Sequence, residues 1–260
     1  MAVEDALPAL AGGGWRATAR GLLESVLGIR RSRQAFLDAS RHEDPAEDVL
    51  RQFGLTPDAA GVVEAIPATG GAIVVANHPF GGADALTLIA LCLRARRDFT
   101  ILANEMAAAA PGVGHWFLPL SILGDRAAAR QNALTLRAAL EHLRGGGLLA
   151  VFPAGEVSTW RRHLGQVADG PWSPHIAALA RKAGVPVLPV RFFGENPPWF
   201  HVAGAIHPLV RTALLPRVIL SRRGHRVVCR AGDLIEIADI QGSADATELL
   251  RRKMESVPLP

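Results

Sequence analysis

The 260-residue sequence predicts an α/β fold, with a largely parallel mixed sheet flanked by helices and preceded by N-terminal helices. Three observations support this prediction. Beyond Gly71, short apolar runs alternate with longer segments whose apolar residues recur at helical spacing. Glycines and prolines separate these segments, as in the run of three glycines that starts at Gly145. Hydrophobic residues make up 49% of the chain, which is enough to bury a large core.

The first sixty residues differ from the rest in their pattern of apolar residues, glycines and arginines. Residues 1–14 end in glycines and indicate a loose tail, whereas 15–37 carry apolar residues at helical spacing with arginines between them. A second helix is predicted within 43–57, closed by a glycine and stopped by a proline. We therefore divide the chain into an N-terminal tail with helices, 1–62, and an α/β domain, 63–260.

The α/β domain is predicted to consist of strands and helices in turn. Each strand is a nearly continuous apolar run, as expected for strands buried on both faces. The strands are predicted at 71–77, 98–104, 147–153, 185–194 and 225–237. The helices are predicted at 83–96, 126–144 and 173–184, with a helix-like segment near 207–215 after a proline-rich loop. Ligands bind at the carboxyl ends of strands in such sheets, so residues that follow the apolar runs are the candidates for chemistry.

Arginine supplies most of the positive charge, which leaves a net charge of +4 and a sequence pI of about 10.0. This balance favours an anionic partner, either a phosphate-bearing substrate, a membrane surface or a nucleic acid. Nucleic-acid binding is disfavoured, because the chain has no tyrosine and few aromatic residues lie among the arginines. Cys92 and Cys229 lie in apolar segments and indicate reduced core thiols. Early acidic residues and the lack of an apolar run of about 18 residues predict a cytoplasmic chain without a membrane span.

The motif "NHPFGGAD" at 77–84 joins the end of a predicted strand to the first turn of a helix. Its glycine turn can fold Asp84 back onto His78, and an aspartate-oriented histidine is the usual form of a general base. On spacing alone, a helix-capping Asp84 beside an ordinary strand-end histidine is equally compatible. The chain has no G-x-S-x-G elbow, and both thiols are in apolar surroundings. His78 is therefore expected to activate an incoming hydroxyl or amine. The nine histidines show no metal-ligand spacing, so no metal site is predicted.

Three further motifs follow predicted strands or enclose one. Arg126 in "LGDR" opens a helix, where a cation and the helix terminus both favour anions. The segment "FPAGEVSTWR" breaks a strand at Pro153–Gly155 and places charged residues directly behind it. In "VPVLPV" two prolines bracket a short apolar strand that is suited to lining an acyl channel. Taken singly, these three are better explained by a solvated arginine, an ordinary loop and core packing.

In this order, the four motifs resemble those of the glycerolipid acyltransferase superfamily, which includes the 1-acyl-glycerol-3-phosphate acyltransferases. The resemblance covers about residues 70–195 and rests on "NHPFGGAD", "LGDR", "FPAGE" and "VPVLPV". The first and third motifs look like those of a bacterial branch of hemolysin and ornithine-lipid-type acyltransferases.

Two departures from the family pattern concern the acceptor. Five residues separate His78 from Asp84 where the family usually has four, and a pair of glycines can absorb the extra one. The glutamate of the family's Phe-Pro-Glu-Gly motif is Ala154 here, and the arginine expected two residues after the glycine is Val157. Glu156 is a displaced substitute for that glutamate.

The resemblance implies a glycerol-3-phosphate acyltransferase-like fold and transfer of an acyl group from acyl-CoA or acyl carrier protein to the hydroxyl of a lyso-lipid. It implies His78 as the general base oriented by Asp84, and no cofactor or metal. Backbone amides at Gly81 and Gly82 or at Gly155 would hold the oxyanion, and Arg126, alone or with Arg161, would hold an anionic acceptor. The substrate contacts expected on this basis are Asn77, Gly81, Gly82, Arg126, Gly155, Glu156, Ser158 and Arg161.

A lipid product implies contact with the cytoplasmic membrane, so the protein is expected to be peripheral to it. Segment 15–37 is a candidate interfacial helix with a Trp at its edge, although packing onto the α/β domain is an equal alternative. A late arginine cluster would attract anionic lipid and comprises Arg211, Arg217, Arg222, Arg223, Arg226 and Arg230. Two other functions stay open: a non-catalytic membrane- or nucleic-acid-binding protein on the same scaffold, and a thioesterase or other hydrolase using the His78–Asp84 pair.

Overall fold

A seven-stranded sheet forms the centre of the structure, a computed structural model that describes residues 24–25, 27–42, 44–105, 112–121, 126–206 and 208–260, without the side chains of 203–213. The strands are β1 Thr56–Asp58, β2 Ala72–Ala76, β3 Phe99–Asn104, β4 Phe117–Leu120, β5 Leu148–Val151, β8 Val187–Phe193 and β9 Arg226–Ala231. Their order is β1-β9-β8-β2-β5-β3-β4, and all neighbours are parallel except the β8–β9 pair. A separate antiparallel hairpin consists of β6 Thr159–Arg161 and β7 Gln166–Ala168.

Helices cover both faces of this sheet. They are α1 Ile29–Ala39, α2 Pro45–Phe53, α3 Val62–Ala65, α4 Gly82–Ala95, α5 Arg126–Arg144, α6 Pro174–Ala183, α7 Pro198–Ile206, α8 Pro208–Ser221, α9 Ile237–Gly242 and α10 Ala246–Glu255. Side chains of α1, α2 and α4 bury one face, and those of α5, α6, α9 and α10 bury the other. The side chains of β2 alternate between these two faces. Val74 packs among the buried side chains on the first face, and Ile73 and Val75 pack among those on the second.

The predicted α/β class and the largely parallel sheet are confirmed. Sequence analysis missed β1, β4 and the β6–β7 hairpin, whose strands are only three or four residues long. β1 and β4 also contain a proline, which is tolerated at the sheet edges that they occupy. The predicted loop after β8 is wrong in part, because Pro198 begins α7, a position where its missing N–H costs no hydrogen bond. The C-terminal helices α9 and α10 were not predicted.

The N-terminal segment is only partly described. The predicted tail 1–14 and the predicted helix as far as residue 23 lie outside the described residues. The predicted helix is not continuous over its described part, because a turn at 27–28 precedes α1. Helix α1 buries Ala35 and Ala39 and sets Phe36 edge-on against Phe53 with ring centroids 6.4 Å apart, so it packs on the α/β core. Strand β1, which also precedes residue 62, pairs with β9 in the central sheet, and the division of domains there stays a prediction.

The site lies at the carboxyl end of β2. All five residues of β2 are buried, because the strand runs between β8 and β5 with helices on both faces. Since β2, β5 and β8 are mutually parallel, the segments that follow them meet at one edge. These segments begin at Asn77, Phe152 and Gly194. Within the described part of the chain, no helix is long and apolar enough to cross a membrane.

A buried arginine holds the opposite edge of the sheet. Arg96 pairs with Asp98 through Nε and Nη2, each 2.6 Å from a carboxylate oxygen. Its guanidinium also donates to the carbonyls of Pro67, Gly70 and Gly146 at 3.0, 2.8 and 2.5 Å. All five guanidinium hydrogens thus have acceptors, and one side chain joins three loops.

Arg96→Met should lower the free energy of unfolding by about 2 kcal/mol or more, because three carbonyls lose a charged donor. Urea unfolding followed by circular dichroism measures this loss. The matched control is Arg97→Met, since Arg97 is exposed and has only a 3.5 Å ion pair with Asp44. That variant should stay within about 0.5 kcal/mol of wild type. Equal stabilities of the two variants would contradict the assigned role of Arg96.

Candidate active site

Asn77 ties the end of β2 to β8. Its Nδ2 donates to the carbonyl of Phe192 at 2.9 Å, and its Oδ1 accepts the N–H of Phe192 at 2.7 Å. Both ends of the amide are therefore used within the protein. Asn77, predicted as a substrate contact, instead fixes the position from which the next residue projects.

The turn after Asn77 is closed by the carboxylate of Asp84. Its Oδ2 accepts the N–H of Phe80 at 2.7 Å and the N–H of Gly81 at 3.0 Å. Gly81 has a φ of 80°, in the left-handed region that favours glycine. A Cβ on Gly81 would lie 2.8 Å from Leu215, so the turn also needs glycine to let α8 approach. The extra residue in this motif is thus accommodated by a glycine turn packed under a helix.

The same turn brings His78 and Asp84 together. Nδ1 of His78 lies 3.2 Å from Oδ2 of Asp84, an ion-pair contact whose geometry is not that of a well-formed hydrogen bond. The imidazole stacks on Phe152 with ring centroids 4.0 Å apart. Asp84 is fully buried, whereas the His78 side chain keeps 16% of its surface exposed. Asp84 therefore both closes the turn and faces the histidine, and the general-base role of His78 stays a prediction.

Burial raises the pKa of Asp84, since a charge loses water in this position. The imidazole of His78 and the N–H groups of Phe80 and Gly81 oppose that rise by stabilising the carboxylate. Its other oxygen, Oδ1, has no hydrogen-bond partner among the described residues. The carboxylate therefore depends on the turn and on His78 for its stabilisation.

A second carboxylate, which sequence analysis missed, holds the backbone of His78. Oδ1 of Asp169 accepts the His78 N–H at 3.2 Å and the Ser158 hydroxyl at 2.5 Å, and Oδ2 accepts Nε1 of Trp172 at 3.1 Å. The Ser158 N–H donates to the His78 carbonyl at 2.9 Å. Ser158, predicted to touch substrate, therefore positions the histidine together with Asp169. No local motif marks Asp169, which follows the β6–β7 hairpin.

Glu156 and Arg161 pair with each other, with Nη2 2.6 Å from Oε1, and both are partly exposed. The N–H of Gly155 donates to the carbonyl of Phe152 at 3.0 Å. The N–H of Gly81 is likewise engaged, with Asp84. The geometry thus does not support the expectation that the amides of Gly81 or Gly155 bind an oxyanion, because both hydrogens already have acceptors.

Among the described residues, no contact joins Arg126 to His78. Arg126 begins α5 with an exposed side chain, directly after the undescribed residues 122–125, which include the predicted Gly-Asp turn. The preceding strand, β4, is the sheet edge three strands from β2. The predicted binding of an anionic acceptor by Arg126 stays a prediction.

A cavity of about 360 Å³ lies beside the His78 backbone, on the side of the sheet covered by α10. Its polar lining comprises Asn77, Ser158, Gln166, Asp169, Arg191, Arg251 and Glu255. The two thiols lie elsewhere in the core, where burial raises the pKa of Cys92 and of Cys229 to about 12. The prediction that both are core thiols is confirmed. Among the residues that the structure describes, His, Cys, Asp and Glu form no group that could hold a metal ion.

Comparisons with known proteins agree with this architecture. The structure is similar to the crystal structure of the 1-acyl-sn-glycerophosphate (LPA) acyltransferase PlsC from Thermotoga maritima, with a TM-score of 0.52 and 20% identity over 91% of this chain and 93% of that one. A search of curated proteins gives no match. A family model described as "Acyltransferase" matches residues 62–192, just over half of the chain, and includes the histidine–aspartate turn. The chain therefore belongs to the acyltransferase family.

Proposed function

We propose that the protein is a lipid acyltransferase that moves a fatty acyl group from acyl-CoA or acyl carrier protein to the hydroxyl of a lysophospholipid or related lyso-lipid. The observation that carries the proposal is the placement of His78 and Asp84 at the carboxyl end of β2, with Nδ1 3.2 Å from Oδ2. The family match and the fold shared with a solved lyso-lipid acyltransferase support it. The bacterial hemolysin and ornithine-lipid-type branch remains part of the proposal, on the form of the motifs.

His78 acts as the general base in this mechanism. Nδ1 faces Asp84, which leaves Nε2 to take the proton of the acceptor hydroxyl. The acceptor oxygen attacks the thioester carbonyl carbon and forms the ester bond. The C–S bond then breaks, and the departing thiolate takes the proton from His78. Asp84 stabilises the imidazolium between these steps, and neither a metal nor a cofactor takes part.

Exposed apolar side chains support peripheral contact with the cytoplasmic membrane. Trp160 on β6 and Trp199 and Val202 on α7 are 54%, 41% and 66% exposed. β6 and α7 contact each other, so these side chains belong to one region of the surface. Phe200 and Val157 bury the underside of that region near the glycine turn. Tryptophan favours the membrane interface, and the region lies where a lipid acceptor has to arrive.

His78→Ala should lower acyl transfer by about 10²–10⁴-fold, because it removes the general base. Asp84→Asn should lower it by about 10²-fold, because the imidazolium loses its counter-charge. Thiol release from palmitoyl-CoA, with and without lysophosphatidic acid, measures both losses. Near wild-type release by His78→Ala would contradict the mechanism, and acceptor-independent release by wild type would indicate a thioesterase instead.

Asp169→Ala should lower kcat by about 10–100-fold with little change in KM, because the backbone of His78 loses one of the two hydrogen bonds that hold it. Asp169→Asn is the matched control, since its amide oxygen still accepts the His78 N–H, and it should recover part of the loss. Steady-state thiol release separates kcat from KM. An unchanged kcat in Asp169→Ala would remove the positioning role.

Replacing Trp160 and Trp199 together by alanine should weaken binding to phosphatidylglycerol vesicles by about tenfold, as expected from the loss of apolar area at the membrane. Co-sedimentation with vesicles gives the partition coefficient. Leu134→Ala is the control. Leu134 is an exposed apolar residue on α5, which packs on the sheet with α6, α9 and α10 and carries neither tryptophan. Equal losses in the control and the double variant would assign the effect to general surface hydrophobicity.

A further inference from the structure

A second cavity, of about 310 Å³, lies between the end of β8 and the end of α8. It is lined mainly by Glu195, Asn196, Ser221, Arg222 and His225. All of these residues follow the segment 62–192 that the family model matches. The mechanism above uses none of them.

Asn196 is the first unusual feature of this cavity. Only 1% of the residue is exposed, yet neither Oδ1 nor Nδ2 has a hydrogen-bond partner among the described residues. A buried amide in this state loses its hydration without replacement, and such groups in native proteins call for an explanation. Its position in the wall of a cavity indicates that the missing partner is a ligand.

Arg222 is the second unusual feature of this cavity. Its Nε is buried without a partner, and one Nη donates to the backbone carbonyl of Glu195. Burial lowers the pKa of Arg222, whereas the carboxylates of Asp84 and Glu195 oppose that fall by attracting its positive charge. An anion that accepts from the unpartnered Nε would add a charged hydrogen bond.

The cavity is joined to the catalytic turn through Phe80. The guanidinium carbon of Arg222 lies 4.0 Å from the centre of the Phe80 ring. Gly194 also approaches this ring, since a Cβ on Gly194 would lie 2.7 Å from Cζ of Phe80. The N–H of Phe80 is held by Asp84. A ligand on Arg222 would therefore lie close to Phe80, which is two residues from His78 in the same turn.

We propose that Arg222 and Asn196 form a subsite for a phosphate monoester, contributed by one of the two substrates of acyl transfer. Nε of Arg222 and Nδ2 of Asn196 donate to phosphate oxygens, and Oδ1 of Asn196 accepts the P–OH hydrogen of the singly protonated phosphate. The assignment rests on the proposed function. It supplies a cation beside Phe80 in the catalytic turn, in a chain that has Val157 in place of the arginine of the family motif. Both a glycerol phosphate acceptor and the ribose phosphate of CoA have this chemistry.

Binding of substrate fragments tests the subsite without relying on catalysis. Glycerol 3-phosphate represents the acceptor and adenosine 3′,5′-bisphosphate represents the donor, each titrated calorimetrically into the full chain. Wild type should bind one of them, and Arg222→Gln should weaken that binding at least about tenfold, as expected for a lost charged hydrogen bond. Asn196→Asp, which has nearly the same shape, should weaken it similarly because a carboxylate repels phosphate.

Arg223→Gln is the matched control, because Arg223 is the exposed neighbour and carries the same charge. It should leave binding unchanged, and circular dichroism melting should show all four proteins folded. Equal affinity in Arg222→Gln and Arg223→Gln, or no binding of either fragment by wild type up to about 10 mM, would overturn the subsite.

Steady-state kinetics then identify the source of the phosphate. A raised KM for lysophosphatidic acid in Arg222→Gln assigns the subsite to the acceptor, and a raised KM for palmitoyl-CoA assigns it to the donor. The two proposals also fail differently. Fragment binding without thiol release from wild type, with either palmitoyl-CoA or palmitoyl-acyl carrier protein as donor, would contradict the acyltransferase function and leave the subsite in place.

Discussion

The architecture of the site depends on one buried carboxylate. Oδ2 of Asp84 closes the turn by accepting two backbone N–H groups and also faces the imidazole of His78. These contacts are what stabilise a charge that burial disfavours. The fold of the turn and the chemistry of the histidine are therefore coupled, because the same oxygen serves both.

Around this carboxylate, contacts distant in sequence set the position of the histidine. Asn77 attaches the end of β2 to β8, and Asp169 with Ser158 holds the N–H and the carbonyl of His78. Phe152, which follows β5, supports the ring. Each partner comes from a different segment at the carboxyl edge of the sheet. The parallel arrangement of β2, β5 and β8 explains why these segments meet.

Close packing of α8 links the catalytic turn to the rest of the surface. The turn needs glycine where α8 lies against it, and the residue after α8, Arg222, stacks on Phe80 within that turn. On the proposed function, the phosphate subsite and the exposed tryptophans of β6 and α7 both lie around the catalytic turn. The geometry suits a reaction in which an apolar chain and an anionic head group arrive together.

The sequence by itself determined the α/β class, the ends of β2 and α4, and the His78–Asp84 pair, because apolar runs, glycines and capping residues act over a few positions. Only the tertiary structure decided the roles of Asp169, Asn196 and Arg222. Asp169 contacts a residue 91 positions away and Asn77 one 115 positions away, so no local pattern reports either contact. The predicted oxyanion contacts of the Gly81 and Gly155 amides are not supported for the same reason, since both hydrogens are bonded within the protein. Whether a side chain or an N–H is free for a ligand depends on neighbours that only the folded chain supplies.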